Sequence, residues 1–496
     1  MAESAAGRLR AGRPSWYERA MPSLACSAEP ETLRARRAAL ARALDGRTAF
    51  FFAGAERPRN YPANTYPFRA GSHFLYFGGV GLAGAVLEVG PSASVLHRVP
   101  STPEDALWHG PAPDDEALQA ATGVDEIRDV AGLADAVAAA RAPCTLPAVD
   151  LATRLRQARI FGLDWPEDRP VTVDDLDEGD RTLAQAVVEI RLRNDDDAVA
   201  RIRAACRVTH AAHGAGVAAM APGRREAAVR AAIESVMLAH GAKPAYSSIV
   251  SIAGEILHNT TYHRTLAHGD LLLVDAGAEL DGWASDVTRT YPVGGRFLPE
   301  QRALYEVVLE AQRTAIEAVA PGVRFRDLHL AAARVLARGL VGEGILVGEV
   351  DGLLEAGAHA LFFPHGLGHL LGMDVHDMED LGDAAGYAPG RARSDAFGLC
   401  YLRLDRDLEP GMVVTIEPGL YLVPAILEAE HLGRAFVERK MVDLDRLEAF
   451  ASVRGIRIED DVLVTEEGAD VLTASIPKAP EAVEEAVARR GFAPAG

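Results

Sequence analysis

Cysteine is scarce in this chain of 496 residues: Cys26, Cys144, Cys206 and Cys400 are widely spaced and form no CxxC pair. Such spacing suits ordinary reduced thiols and gives no disulfide framework. Long hydrophobic runs are absent as well. No segment approaches the roughly 18 consecutive apolar residues that cross a bilayer. The first residues, MAESAAGRLRAGRPSWYERAMP, hold no apolar stretch of the kind that directs secretion. Positive charge is in deficit, with 51 Lys and Arg against 71 Asp and Glu and a net charge of −20, which argues against nucleic acid or an anionic membrane as partner. The expectation is a soluble cytoplasmic protein. What is present is globular, 49% hydrophobic and 25% charged, and the length favours two domains.

The most informative stretch is Gly269 to Tyr291, GDLLLVDAGAELDGWASDVTRTY. An apolar run over Leu271–Val274 ends on Asp275, Asp281-Gly282 is a turn signal, and a second strand carries Asp286 to Tyr291: a β-hairpin. With a two-residue type I′ turn, position 280 pairs with 283, 277 with 286 and 275 with 288. Alternation then puts Asp275 and Asp286 on one face as diagonal neighbours. Two converging carboxylates repel unless a cation lies between them.

The rest of the chain reads as two α and β segments. Residues 1–28 are a polar lead-in. Residues 29–180 form a smaller N-terminal α/β domain: a helix over Glu31–Leu44, a strand over Thr48–Phe52, apolar pieces over Ala85–Val89 and Ser94–Val99, and a helix over Leu133–Ala142. The acidic Val171–Thr182 reads as a linker. Residues 181–485 mix helices with antiparallel strands, an α+β layout, and 486–496 form a tail. A helix capped by Asn194-Asp195 runs through Val217, others follow over Arg224–His240, Pro299–Ala320 and Arg326–Arg338, and Tyr246–Ala253 is strand-like.

Downstream, Pro364-His365-Gly366-Leu367-Gly368-His369 opens a glycine-rich run that reaches His376. The zinc-protease helix motif HExxH does not fit, because position 366 is Gly. Three histidines in twelve residues of a non-helical loop are candidates for a site. Glu417 ends a strand at Pro418-Gly419, and Arg457 and Glu459 share one strand face. Asp275, Asp286, His369, Glu417 and Glu459 make a hard, oxygen-rich donor set, sufficient for two divalent ions.

The order Asp, Asp eleven residues on, His in HGLGH, Glu in TIEPG and Glu in RIED resembles the pita-bread-fold metallopeptidases, in the aminopeptidase P and prolidase branch. TYPFRAGSHFLYFGG resembles the first domain of that branch, and Arg191 to Pro477 its catalytic domain. The resemblance implies that Asp275, Asp286, His369, Glu417 and Glu459 bind two divalent ions, most often Mn2+, with a bridging water or hydroxide as nucleophile. It implies that Glu417 is general acid and base, that His376 hydrogen-bonds the scissile carbonyl, and that His365 and His258 line the proline pocket. The family's pocket histidine usually precedes an aromatic residue, whereas Asn259 follows His258, and His263 is the alternative. His258 is preferred because it follows the strand-like Gly254–Leu257. Arg457 would orient the neighbouring carboxylates.

The branch contains Xaa-Pro dipeptidases and aminopeptidases that act on longer peptides. The insertion over Met378–Leu408, and the 42 residues between Glu417 and Glu459 with their helix-like ILEAEHLGRAFVERKMVDLDRLEAF, resemble the dipeptidases. Arg403 stands where dipeptidases place an arginine for the substrate's free carboxylate, a pairing that suits a guanidinium. A dipeptidase is favoured, with the aminopeptidase as alternative. The complete ligand set argues against a metal-free binding module and against the creatine hydrolases, and the large first domain against methionine aminopeptidase. The resemblance also implies a homodimer or homotetramer.

Overall fold

A computed structural model of the protein describes residues 24–492. Most of the lead-in expected over 1–28, and residues 493–496 of the expected tail, lie outside the described residues. The chain divides into two units that meet between Ile190 and Arg191. That junction falls inside the helix Glu178–Arg191, whose first turn takes in part of the acidic stretch read as a linker.

In the first unit, helix α1 (Pro30–Ala43) precedes strand β1 (Thr48–Phe52), which is followed by α2 (Ser72–Gly78), β2 (Val86–Val89), β3 (Ser94–Arg98), β4 (Glu126–Asp129), α3 (Leu133–Ala139) and β5 (Pro143–Thr145). The sheet runs β4-β3-β2-β1-β5. Its β1–β2 and β2–β3 pairs are antiparallel, and β3–β4 and β1–β5 are parallel. Every residue of β1 is buried, because the sheet is covered on both faces. Phe50 and Phe52 pack with Val86, Leu133 and Val137.

The second unit opens with α4 (Asp196–Ala219), capped by the Asp195 carboxylate, which accepts from Ala198 N at 2.9 Å. After α5 (Glu226–Ala239) come β6 (Lys243–Pro244), β7 (Ile249–Ser251), β8 (Leu271–Asp275), β9 (Ala278–Leu280), β10 (Trp283–Ala284) and β11 (Thr288–Pro292). Two long helices follow, α6 (Pro299–Glu317) and α7 (Phe325–Gly342). The chain continues with β12 (Val413–Ile416), β13 (Gly419–Tyr421), β14 (Gly455–Arg457), β15 (Asp460–Thr465), β16 (Gly468–Val471) and α8 (Pro480–Arg489), which occupies the start of the expected tail. Small sheets of order β10-β9-β6, β11-β8-β7, β12-β15-β16 and β13-β14 bring the strand ends together.

The hairpin keeps the register its turn dictates. Asp281 (φ 51°) and Gly282 (φ 88°) are both left-handed, as a type I′ turn requires. Leu280 pairs with Trp283 and Asp275 with Thr288. Between these pairs the two strands close in at Gly277, where a Cβ would lie 1.7 Å from the Ser285 carbonyl oxygen, so only glycine fits.

Two expectations change. Gly254–Leu257 is a turn, not a strand, because the Gly254 backbone packs against Gly455, where a Cβ would lie 2.6 Å from the Gly455 carbonyl oxygen. The helix-like segment from Ile426 to Phe450 breaks into three short helices, Pro424–Glu428, Arg434–Glu438 and Leu444–Glu448. Val347 N bonds Met441 O and Asp443 N bonds Ile345 O, and this pairing pulls Met441–Asp443 into extended backbone that no helix can contain.

Candidate metal centre

Each of the five candidate ligands sits at or just beyond a strand end or in the glycine loop. Asp275 closes β8, Asp286 precedes β11, Glu417 follows β12, and Glu459 lies between β14 and β15. Backbone bonds lock these ends together: Glu459 N donates to Thr288 O at 3.0 Å, Thr415 N to His369 O at 3.0 Å, and Glu417 N to Leu367 O at 2.8 Å. The loop carrying the histidines is held from below by Arg191, which donates to the buried Asp377 at 2.6 Å.

All five line one cavity of about 880 Å³, together with His258, His365, His376, Arg403 and Arg457. His263 is exposed and does not reach this cavity. Ligand atoms of Asp286, His369 and Glu459 lie within 4.8 Å of one another. His369 Nδ1 donates to the Leu370 carbonyl at 3.0 Å, which leaves the lone pair on Nε2. That nitrogen stands 3.5 Å from Asp286 Oδ2 and 3.7 Å from Glu417 Oε1.

The electrostatics fit a cation site. Burial and the neighbouring Asp275 push the Asp286 carboxyl up to about 8, and burial lifts Glu417 to about 7 against the opposing pull of His369 and Arg457. Burial and repulsion from Asp286 and Glu417 raise Glu459 well above the carboxylate range. A buried cluster of this sign gains from divalent cations, and four carboxylates with one imidazole are the hard donors such ions prefer.

Arg457 organises the rim. It donates to Asp275 Oδ2 at 2.5 Å and to Thr288 Oγ1 at 3.0 Å, and Thr288 Oγ1 in turn donates to Glu459 Oε2 at 2.6 Å. Its third nitrogen donates to Tyr421 OH at 3.0 Å, and that hydroxyl bonds His365 Nε2 at 2.9 Å while His365 Nδ1 donates to Gly366 O at 2.8 Å. Burial, aided by Arg457, depresses His365 to about 3, so its ring is neutral. His258 and His376 are also lowered, chiefly by burial. The His376 ring packs against His369, centroids 4.2 Å apart, and its Nδ1 bonds Glu379 Oε2 at 3.1 Å.

A family model described as Metallopeptidase family M24 matches residues 200–466. The chain belongs to metallopeptidase family M24. A second model, Aminopeptidase P, N-terminal domain, matches residues 33–145. Among M24 relatives, the Xaa-Pro aminopeptidase of Escherichia coli (strain K12) is 33% identical over 472 residues, covering 92% of this chain and 96% of its own length. The Xaa-Pro dipeptidase of Homo sapiens is 31% identical over 456 residues, covering 88% of this chain and 87% of its own. The solved structure of aminopeptidase P from E. coli with the inhibitor Pro-Leu superposes with a TM-score of 0.75 at 30% identity, over 93% of this chain and 99% of that one. Together these relatives support the two-domain layout, a first domain followed by a pita-bread M24 catalytic domain.

Several residues around the M24 centre escape sequence reasoning. Tyr246 OH lies 2.5 Å from both Asp275 Oδ1 and Asp286 Oδ1, bridging the two hairpin carboxylates from outside the hairpin. Nothing in its local sequence marks it. Asp461 carries both carboxylate oxygens to the backbone N of Asp286, at 3.1 and 3.2 Å, and alternation from Glu459 could have suggested its direction. Beneath these, the fully buried Arg289 donates to the Glu459 carbonyl at 2.5 Å and to Asp460 Oδ1 at 2.7 Å. Lys478 and Gln312 complete the bonds to Asp460 Oδ2, at 2.6 and 2.9 Å.

Proposed function

We propose that this M24 protein is an exopeptidase that hydrolyses the bond between an N-terminal residue and a following proline, with Mn2+ as its metal. The observation that carries the reading is the convergence of Asp275, Asp286, His369, Glu417 and Glu459 in one cavity that also presents His258, His365 and His376. Divalent cations held by those five residues supply Lewis acidity and lower the pKa of water toward neutrality. The oxygen-rich donor set suits manganese better than softer metals.

In this reading Glu417 takes the nucleophile's proton and returns it to the prolyl nitrogen as the amide breaks. In its imidazolium form, which the Glu379 carboxylate accepting from Nδ1 favours, His376 donates from Nε2 to the scissile carbonyl oxygen. His365, kept neutral and fixed by Tyr421 and Gly366, lines the proline pocket with His258. Arg457 holds Asp275 in place, and Glu459 through Thr288.

Arg403 in the cavity wall favours free Xaa-Pro dipeptides, whose carboxylate it can pair. Its existing bond to Glu379 favours the second reading, cleavage of longer peptides. Relatives named for each activity stand at similar identity. We further propose a cytoplasmic location and a homodimer or homotetramer. No helix among the described residues is long and apolar enough to cross a membrane. Helix Pro103–His109 buries none of its residues and exposes Leu107 and Trp108, which supports self-association.

The test is hydrolysis of Xaa-Pro, Xaa-Ala and Xaa-Pro-Yaa-Zaa by protein stripped with a chelator and by protein reloaded with Mn2+. Activity should appear only on reloading, and only where proline is second. Equal rates for stripped and reloaded protein would refute the metal-dependent mechanism.

A further inference from the structure

The guanidinium expected to receive a substrate carboxylate already holds one. Arg403 NH1 donates to both carboxylate oxygens of Glu379, at 2.7 Å each. The same carboxylate accepts from His376 Nδ1 at 3.1 Å, so Glu379 joins the proposed carbonyl-binding histidine to the proposed carboxylate-binding arginine. Burial works against the charge on Glu379, but His376 and Arg403 outweigh it and hold the carboxyl down at about 2. The two side chains are each 39% exposed, at the mouth and not in the core. Glu379 also borders a side chamber of about 130 Å³ that shares His369, His376 and Arg403 with the main cavity, and Arg393 lies on its wall.

A dipeptide arriving with a free carboxylate therefore meets one positive group already neutralised by one negative group. It must displace Glu379 into the side chamber or share Arg403 with it at the cost of like-charge repulsion. A peptide that continues beyond proline brings no carboxylate to this point and meets no such competition.

Resting on the Xaa-Pro reading above, we propose that Glu379 is a specificity-determining residue: its carboxylate stands in for a substrate's own, masks Arg403 against free dipeptides, and leaves the cavity receptive to longer peptides. Glu379 lies three residues after His376, so the mask and the carbonyl-binding group ride on one loop. A dipeptide that displaces Glu379 also removes the partner that orients His376, which adds a penalty in kcat to the penalty in binding.

The experiment uses the Mn2+-loaded full chain and two substrates that differ only at the terminus, Xaa-Pro and its C-terminal amide. For wild type, Glu379→Gln, Arg403→Met and the double variant, the measured quantity is the ratio of kcat/KM for the acid to that for the amide. General damage to folding or to His376 affects both substrates and cancels in this ratio. In Glu379→Gln the ratio should rise about three- to fivefold, the scale of unmasking a partly exposed ion pair. The rise should vanish when Arg403 is also replaced. A ratio within twofold of wild type in Glu379→Gln would overturn the proposal, and so would a rise that persists without Arg403. If the wild-type holoenzyme cleaves Xaa-Pro-Yaa-Zaa but neither of these two substrates, selection does not turn on the carboxylate and this proposal falls alone; if it cleaves none of the three, the Xaa-Pro reading falls with it.

Discussion

Replacing Asp286 by Asn should make the metal-stripped protein more stable and the metal-loaded protein less so. The carboxyl is lifted to about 8 by burial and by Asp275, against about 3.9 in an unfolded chain. Between those values the folded protein retains a proton that the unfolded chain has released. Its contribution to stability is therefore lost progressively as pH climbs from about 4 to about 8. At 1.36 kcal/mol per unit, about four units set an upper bound near 5 kcal/mol at pH 8. The bond from Tyr246 and local relaxation reduce what the amide recovers, and about 2 kcal/mol, or about 4 °C in Tm, is the expected gain at pH 8. The gain should fade toward pH 4, where Asp286 is protonated in the folded state. Saturating Mn2+ should reverse the order, since ligand at 100 times Kd stabilises wild type by about 2.7 kcal/mol and the variant has lost a donor. Thermal unfolding in chelator and in Mn2+, at half-unit steps from pH 4 to 8.5, measures all of this. A stripped Asp286→Asn protein no more stable than wild type at pH 8, or a gain that does not change with pH, would refute the electrostatic account.

Glu459→Gln should lower bound metal by at least one equivalent in elemental analysis and cut kcat/KM by about a thousandfold or more, roughly 4 kcal/mol of transition-state stabilisation. A variant with full metal content would remove Glu459 from the ligand set. His376→Ala should reduce kcat by about a hundredfold or more with little change in metal content, as for loss of one donor to a developing oxyanion; an effect confined to KM would reassign it to ground-state binding. Asp460→Ala strands the buried Arg289 and should cost about 3–5 kcal/mol in denaturant unfolding, whereas a cost below 1 kcal/mol would show that the Arg289–Asp460 pair does not hold up the floor beneath Glu459.

The local part of this protein was legible from its residues because it depends on near neighbours. Asp281-Gly282 can supply the two left-handed residues of a type I′ turn, and a period of two then carries the register to Asp275 and Thr288 without reference to anything distant. The strand Thr48–Phe52 and the helix begun by Asp195 follow from side-chain pattern and capping, which are equally short-ranged. The motif order around HGLGH, TIEPG and RIED brought the five candidate ligands and the family resemblance within reach. Where a segment's fate depended on a remote partner, the pattern misled. Ile426–Phe450 has helical composition, but Ile345 and Val347 claim its backbone. Gly254 looked like strand, but Gly455 meets it at backbone distance.

What tertiary structure alone decided is how the candidate ligands are held and what shares their cavity. Glu417 and Glu459 lie 42 residues apart and meet only because β12 pairs with β15 and β13 with β14. Tyr246 between Asp275 and Asp286 and Glu379 on Arg403 are contacts between side chains whose sequence surroundings carry no mark of them, and the Asp461 carboxylate meets an Asp286 amide 175 residues away along the chain. Hydrogen bonds and charge pairs act over a few ångströms in space, and periodicity reports only on neighbours along the chain. The candidate donors could thus be picked out from sequence, while their environment, which sets their charge, belongs to the fold.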